Sequence, residues 1–74
     1  MKLWFKGRKG RRLVASGTQE DFLIKAMHAD LKQNYPHFKS HYQRMWVDES
    51  GEKWIDVGDW SCFYVITLEE GEKW

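Results

Sequence analysis

The pattern of hydrophobic and polar residues divides this 74-residue chain into two hairpins, a helix between them and a last apolar segment. KLWFK alternates, GRKG supplies a glycine-bounded turn, and RRLVA resumes the extended pattern. Alternation on both sides of a short glycine turn predicts a β-hairpin with a basic tip. HYQRMWVD, ESGE and KWIDV predict a second hairpin, and CFYVITL predicts a strand buried on both faces.

Between the hairpins, apolar residues recur at the spacing of a helix. Leu23, Met27 and Leu31 are four residues apart and form a stripe that must be buried against a sheet. The helix is expected from about Gln19 to about Asn34, because the residue that follows precedes a proline and is pushed out of the α region.

Two residue pairs have the spacing of a capping box at the helix N-terminus, Thr18 with Asp21 and Ser16 with Gln19. The element order ββαβββ then predicts an α+β fold, in which one amphipathic helix packs on a mainly antiparallel sheet of about five strands. The order resembles the ubiquitin-type β-grasp arrangement. No linker or change of composition divides the chain, so residues 1–74 are expected to form a single domain.

The five tryptophans are the strongest departure from ordinary composition. By strand parity, Trp4, Trp46 and Trp54 lie among charged residues on one face of the sheet, and aliphatic residues such as Met45 and Val47 lie on the face under the helix. One helix covers only one face, so the tryptophans are expected to form an aromatic patch on the other. Such a patch fits a binding hot spot; alternatively, the rings only seal the back of a thin sheet.

Charge is sorted along the chain although the net charge is only +1. Residues 1–12 carry six basic residues and no acid, and residues 48–74 carry eight acids and two lysines. Ends of opposite sign can pair internally, assemble head to tail, or meet different partners.

No residue pattern indicates catalysis, a metal or a cofactor. His37 and His41 are a single close pair, whereas a zinc site needs further ligands. Cys62 is the only cysteine and is expected to pack as a small apolar residue. GRKG lacks the helix that a phosphate-binding loop needs directly behind it. A non-enzymatic protein is therefore expected.

The N-terminal residues lack the apolar region of a signal peptide, and no apolar run is long enough to cross a membrane. These features predict a cytoplasmic protein without a membrane partner.

Two classes of partner fit the predicted surfaces. A protein partner tolerates charges of both signs and uses rings as anchors; the residues expected to meet it are Trp4, Tyr42, Arg44, Trp46, Asp48, Glu49, Trp54, Glu69, Glu70 and Trp74. A single-stranded nucleic acid would stack on exposed rings and follow the basic hairpin; its expected contacts are Lys6, Arg8, Lys9, Arg11 and Arg12. The acidic C-terminal third repels phosphate and favours the protein partner.

In length, tryptophan content and charge, the chain resembles small bacteriophage proteins that bind and disable one host protein. Within it, QEDFL at residues 19–23 is similar to the Gln-x-Asp-apolar-apolar peptide with which many proteins dock on the bacterial DNA sliding clamp. The resemblance implies an inhibitor of host replication or transcription, with the clamp as its most specific target and residues 48–74 as a substitute for DNA in the clamp channel. A capped helix N-terminus accounts for the same five residues.

The sequence GEKW occurs twice, at residues 51–54 and 71–74. Each copy follows an extended segment and an acidic turn, which predicts a glycine turn that returns an aromatic residue to the sheet. Trp74 is expected to be the freer copy because chain ends fray unless they are packed. It either folds back on the face of Trp4, Trp46 and Trp54, or crosses to a second copy in a homodimer whose interface includes residues 69–74.

Overall fold

The computed structural model describes residues 1–38, 43–59 and 61–74 of the chain. Within these residues the elements are β1 (Lys2–Gly7), β2 (Gly10–Ser16), α1 (Glu20–Asn34), β3 (Arg44–Val47), β4 (Lys53–Asp56) and β5 (Phe63–Thr67). The strands form one sheet in the order β2-β1-β5-β4-β3, and every neighbouring pair is antiparallel. The predicted α+β class is confirmed, whereas the β-grasp-like arrangement is not.

The two hairpins turn at glycines whose backbone conformation disfavours other residues. Gly10 in the first turn has φ 127°, and Gly51 in the second has φ 89°. A side chain in this left-handed region clashes with its own backbone, whereas glycine adopts it freely. The positions of these glycines therefore determine where each hairpin reverses.

Helix α1 begins without the side-chain cap that the sequence predicts. Gln19 is the N-cap in an extended conformation, and no side chain caps the helix. Both predicted capping boxes, those based on Ser16 and Thr18, are therefore wrong. The N–H of Gly17 donates to the Met1 carbonyl at 3.0 Å, which extends the β1–β2 ladder beyond Ser16 and keeps this segment in the sheet.

The core lies between α1 and the sheet. Leu23 and Met27, two members of the predicted stripe, are fully buried, and Leu31 packs against the cluster they form. The other residues of the core cluster come from the strands, namely Leu3, Ile55, Tyr64 and Ile66, and from Val57, which directly follows β4. These side chains leave water together, which is the main favourable term in folding a chain of this size.

The helix lies toward one side of the sheet, because its backbone is closest to β2 and β1. A helix is about 10 Å wide and neighbouring strands are about 4.8 Å apart, so one helix spans roughly two strands. Strand β3 is the far edge and all four of its residues are exposed. The prediction that Met45 and Val47 lie under the helix is therefore wrong; their exposed fractions are 44% and 47%.

A buried carboxylate joins three elements of the fold. Asp30 on α1 accepts two hydrogen bonds of 3.0 Å from the Arg12 guanidinium on β2, and one of 2.6 Å from the Tyr64 hydroxyl on β5. Asn34 Nδ2 donates a further bond of 2.8 Å. Burial would raise the pKa of Asp30, but the hydrogen bonds from Arg12 and Tyr64 outweigh it and hold the pKa below its ordinary value. Burial and the bond to Asp30 raise the pKa of Tyr64, so its hydroxyl remains a donor.

We expect Asp30→Ala to lower the free energy of unfolding by about 2–3 kcal/mol, because the Tyr64 hydroxyl and the Arg12 guanidinium lose their shared acceptor. Urea denaturation followed by circular dichroism measures this change. Lys9→Ala, at the exposed hairpin tip, is the control and should change stability by less than about 0.5 kcal/mol. Equal stability of the two variants would contradict a structural role for Asp30.

Candidate interaction face

Four aromatic side chains lie on the face of the sheet opposite α1, here called the aromatic face: Trp4, Trp46, Trp54 and Phe63. Trp46 lies opposite Trp54 in the β3–β4 register. Their rings stack with centroids 6.3 Å apart, and Phe63 meets them edge-on at 6.2 and 5.7 Å. Sequence reasoning missed Phe63 because CFYVITL contains only apolar and weakly polar residues and its pattern shows no exposed side.

Part of the aromatic face is a second small core. Val65 lies between Trp4 and Trp54 in the strand register and is fully buried, although it faces away from the helix. Trp4 Nε1 donates to Thr67 Oγ1 at 3.0 Å, and Trp54 Nε1 donates to Asp48 Oδ2 at 2.7 Å. Trp4 and Trp54 are therefore half-buried residues whose polar atoms are used within the chain.

Trp46 differs from the other two tryptophans of this face. It is 40% exposed, and Trp46 Nε1 has no hydrogen-bond partner among the described residues. The Arg44 guanidinium lies 5.9 Å from the Trp46 ring centroid and contacts Asp56 Oδ2 at 3.3 Å. The Arg44 side chain is still 71% exposed. The accessible part of the aromatic face is thus Trp46 with the cation beside it.

Asp48 organises the turn between β3 and β4. Its Oδ1 accepts hydrogen bonds from the N–H and the hydroxyl of Ser50 at 2.9 and 2.7 Å, and from the N–H of Glu52 at 3.0 Å. These donors, with Ser50 and Trp54 foremost, lower the pKa of Asp48 to about 2. Asp48 is therefore a turn residue that remains charged at every physiological pH.

Three of the acids in residues 48–74 pair with basic groups of the N-terminal hairpin. Glu52 accepts two bonds of 2.9 Å from Arg11, and Glu69 lies 3.4 Å from Lys2 Nζ. Glu72 accepts a bond of 2.7 Å from the Met1 amino group. Of the acids predicted to meet a partner, Glu49 and Glu70 are exposed on turns.

The two GEKW copies contact each other. Trp74 Nε1 donates to the Gly51 carbonyl at 2.8 Å, and Lys53 Nζ lies 4.4 Å from the Trp74 ring centroid. Lys53 also donates to Glu20 at the start of α1. Trp74 therefore folds back onto the β3–β4 turn of its own chain, not onto the aromatic face, and remains 42% exposed.

The basic hairpin is divided between structural and free cations. Arg12 is bound to Asp30, and Arg11 is bound to Glu52 and lies 5.9 Å from the Trp54 ring centroid. Arg8 and Lys9 are exposed at the hairpin tip, and Lys6 is half-buried on β1. Of the five residues predicted for nucleic acid, four line one open depression at the hairpin, namely Arg8, Lys9, Arg11 and Arg12, and two of these cations are already paired with carboxylates.

A small apolar cleft with a cavity volume of about 40 Å³ lies between α1 and the sheet. Its walls include Phe5, Tyr35, Tyr64 and Cys62, with Asp59 at the rim. The backbone N–H and hydroxyl of Ser61 bind Asp59 and lower its pKa, and the pKa of Tyr64 is raised. Neither shift moves a group toward the neutral pKa that general acid–base catalysis favours.

Two residues singled out from the sequence lie outside the described part of the chain. Tyr42, expected to meet a protein partner, and His41, which forms a close pair with His37 in the sequence, are not among the described residues. Within residues 1–38, 43–59 and 61–74, no three His, Cys, Asp or Glu side chains lie close enough to hold a metal ion.

Comparison of the chain with protein-family models, curated proteins and solved structures finds no match. Over the described ranges, no helix has both the length and the apolar character needed to cross a membrane. The functional interpretation therefore depends on the residues themselves.

We expect acid to weaken the fold partly through Asp48. Its pKa of about 2 in the folded chain lies below its ordinary value of 3.8. Ionised Asp48 thus stabilises the fold above about pH 4, and this contribution is lost as the pH falls toward 2. Urea denaturation at pH 7 and at pH 3, followed by tryptophan fluorescence, measures the loss.

Asp48→Asn is the matched variant for this titration, because an amide cannot accept from Ser50, Glu52 and Trp54 together. It should be less stable than the wild type at pH 7 and should lose less stability between pH 4 and pH 2. Identical acid dependence in the two proteins would contradict the assignment to Asp48.

Proposed function

We propose that this chain is a non-enzymatic protein-binding module that contacts its partner through Trp46 and Arg44 of the aromatic face. The observation that carries the proposal is the exposure of the Trp46 ring and what surrounds it. This indole is exposed, has no hydrogen-bond partner for its N–H among the described residues, and has a cation beside its ring. Tryptophan and arginine are the residues most enriched at binding hot spots.

The ring is also held in place before any partner arrives. Trp54 stacks on Trp46, and Phe63 contacts its edge. Trp54 is in turn fixed by its hydrogen bond to Asp48. A side chain already confined in this way loses little conformational entropy on binding, so more of its contact energy contributes to affinity.

The charges around the ring favour a protein over a nucleic acid. Arg44 and Asp56 flank Trp46 on one side, and Arg11 and Glu52 lie near Trp54. A surface of mixed sign suits a protein partner with complementary charges. Single-stranded nucleic acid needs a basic groove and rings open to bases, whereas Arg11 and Arg12 are paired with carboxylates and Trp46 is stacked on Trp54.

The partner class that we propose is the one implied by the resemblance to bacteriophage inhibitors, namely a cytoplasmic replication or transcription protein of the host. The sliding clamp is its most specific member. In α1, Leu23 is fully buried and Phe22 is 55% exposed, so residues 19–23 would bind as an extended peptide only after the helix start unfolds. A clamp contact through the aromatic face does not require that unfolding.

Capture experiments with purified tagged protein test the proposal. Wild type is expected to retain a stoichiometric protein from a nuclease-treated bacterial lysate, and purified sliding clamp is tested separately by titration. Trp46→Ala should weaken the complex at least about tenfold, as the loss of a hot-spot ring does. Phe22→Ala is the matched control, because it also removes an exposed ring but lies on α1.

Each outcome bears on the proposal. Weakening by Trp46→Ala but not by Phe22→Ala supports the aromatic face. Weakening by Phe22→Ala alone would instead assign the contact to residues 19–23. A partner lost on nuclease treatment, with micromolar DNA affinity at physiological salt that falls in Arg8→Ala and Lys9→Ala, would replace the proposal with nucleic-acid binding.

A further inference from the structure

Strand β3 is an exposed edge of the sheet. It pairs with β4 on one side, and no strand among the described residues pairs with its outer side. Its residues Met45, Trp46 and Val47 are 40–47% exposed. Proteins usually protect such edges with charges, prolines or bulges, because an open apolar edge is a template for another strand.

The hydrogen bonds of the β3–β4 hairpin show which backbone groups of β3 are directed outward. The Asp48 N–H donates to the Glu52 carbonyl at 2.9 Å. In an antiparallel pair the bonded residues alternate, so Asp48, Trp46 and Arg44 direct their backbone groups toward β4. The N–H and C=O of Met45 and Val47 are therefore directed to the outer edge.

We propose that β3 pairs antiparallel with β3 of a second copy of this chain, with Trp46 opposite the partner's Trp46. In this register Met45 lies opposite the partner's Val47, and Arg44 lies opposite the partner's Asp48. The segment RMWVD is thus complementary to itself, apolar against apolar and cation against anion. This charge complementarity identifies a second copy as the occupant of the edge.

The backbone independently limits the register to those in which outward-facing groups of the two strands meet each other. Only Met45 and Val47 have outward hydrogen-bonding groups, so a shift of one residue would place these groups opposite residues that bond to β4. With Trp46 at the two-fold axis, each Met45 exchanges both bonds with the partner's Val47, which gives four new hydrogen bonds. A shift that centres Met45 or Val47 keeps the bonding parity but leaves Arg44 without the partner's Asp48.

The dimer would join two sheets into one of ten strands and make the two aromatic faces continuous. Trp46 of each copy would lie beside that of its partner at the centre of the combined face. The inference does not rest on the proposed function, because it concerns the outer backbone edge and is tested on the purified protein alone.

Disulfide trapping tests the register. In a Cys62→Ser background, Trp46→Cys places two thiols opposite each other at a non-hydrogen-bonded pair, where the Cα atoms are about 4.5 Å apart and a disulfide fits. Val47→Cys is the matched control, because it is equally exposed but faces the partner's Met45. With oxidised glutathione, the Trp46→Cys dimer should form at least about tenfold faster on a non-reducing gel.

Sedimentation equilibrium tests the wild-type interface. Arg44→Glu should raise the dimer dissociation constant at least about tenfold, because two attractive charge pairs become repulsive. Deletion of residues 71–74 should leave that constant unchanged, with circular dichroism confirming the fold of both variants. A wild type that is monomeric at high micromolar concentration, equal trapping of Val47→Cys, or a dimer lost only with residues 71–74 would overturn the proposal.

Discussion

The carboxylate of Asp30 is the constraint on which the rest of the structure depends. It binds Arg12 of β2, Tyr64 of β5 and Asn34 of its own helix, so a single group connects α1 to two strands. An unpaired carboxylate at this depth would be costly, and the three partners together make its burial tolerable. The helix is thereby held toward the β2 side of the sheet and reaches the central strand β5 through Tyr64.

This lateral position of the helix determines which surfaces remain for binding. The far edge strand β3 receives little cover, and the aromatic rings on the opposite face compensate in part. Val65 is fully buried beneath them, so this short chain uses both faces of its sheet to remove apolar surface from water. The compensation ends at β3, where Met45, Trp46 and Val47 stay exposed together.

The charged residues are likewise divided between those that pair within the chain and those that stay exposed. Arg11 and Arg12, which a sequence-based interpretation assigns to a partner, bind Glu52 and Asp30 of the same chain. The partly exposed Arg11–Glu52 pair contributes little stability but joins opposite charges from the two ends of the sequence, whereas the Arg12–Asp30 pair belongs to the buried connection between α1 and the sheet. The small region around Trp46 and Arg44 then stands apart, because it combines an exposed ring with an exposed cation.

Local patterns in the sequence were sufficient to predict the secondary structure. Glycines needing positive φ mark both hairpin turns, the four-residue spacing of Leu23 and Met27 marks the helix, and strand parity places Trp46 and Trp54 on one face. Each follows from backbone geometry within a few residues, which is why it can be inferred without the fold. The parity of Met45 is also as predicted, since it lies on the opposite face from Trp46.

Burial, by contrast, was decided by tertiary structure, because it depends on where distant elements lie. Parity assigns Met45 to a face but cannot reveal that the helix stops short of β3. The capping boxes failed because Gly17 pairs with Met1 across the sheet, and Phe63 joined the rings through a register between distant strands. Trp74 meets Gly51 because β4 and β5 are neighbours, which brings the chain end to the β3–β4 turn. Such long-range pairings depend on the strand order, which no local pattern in the sequence encodes.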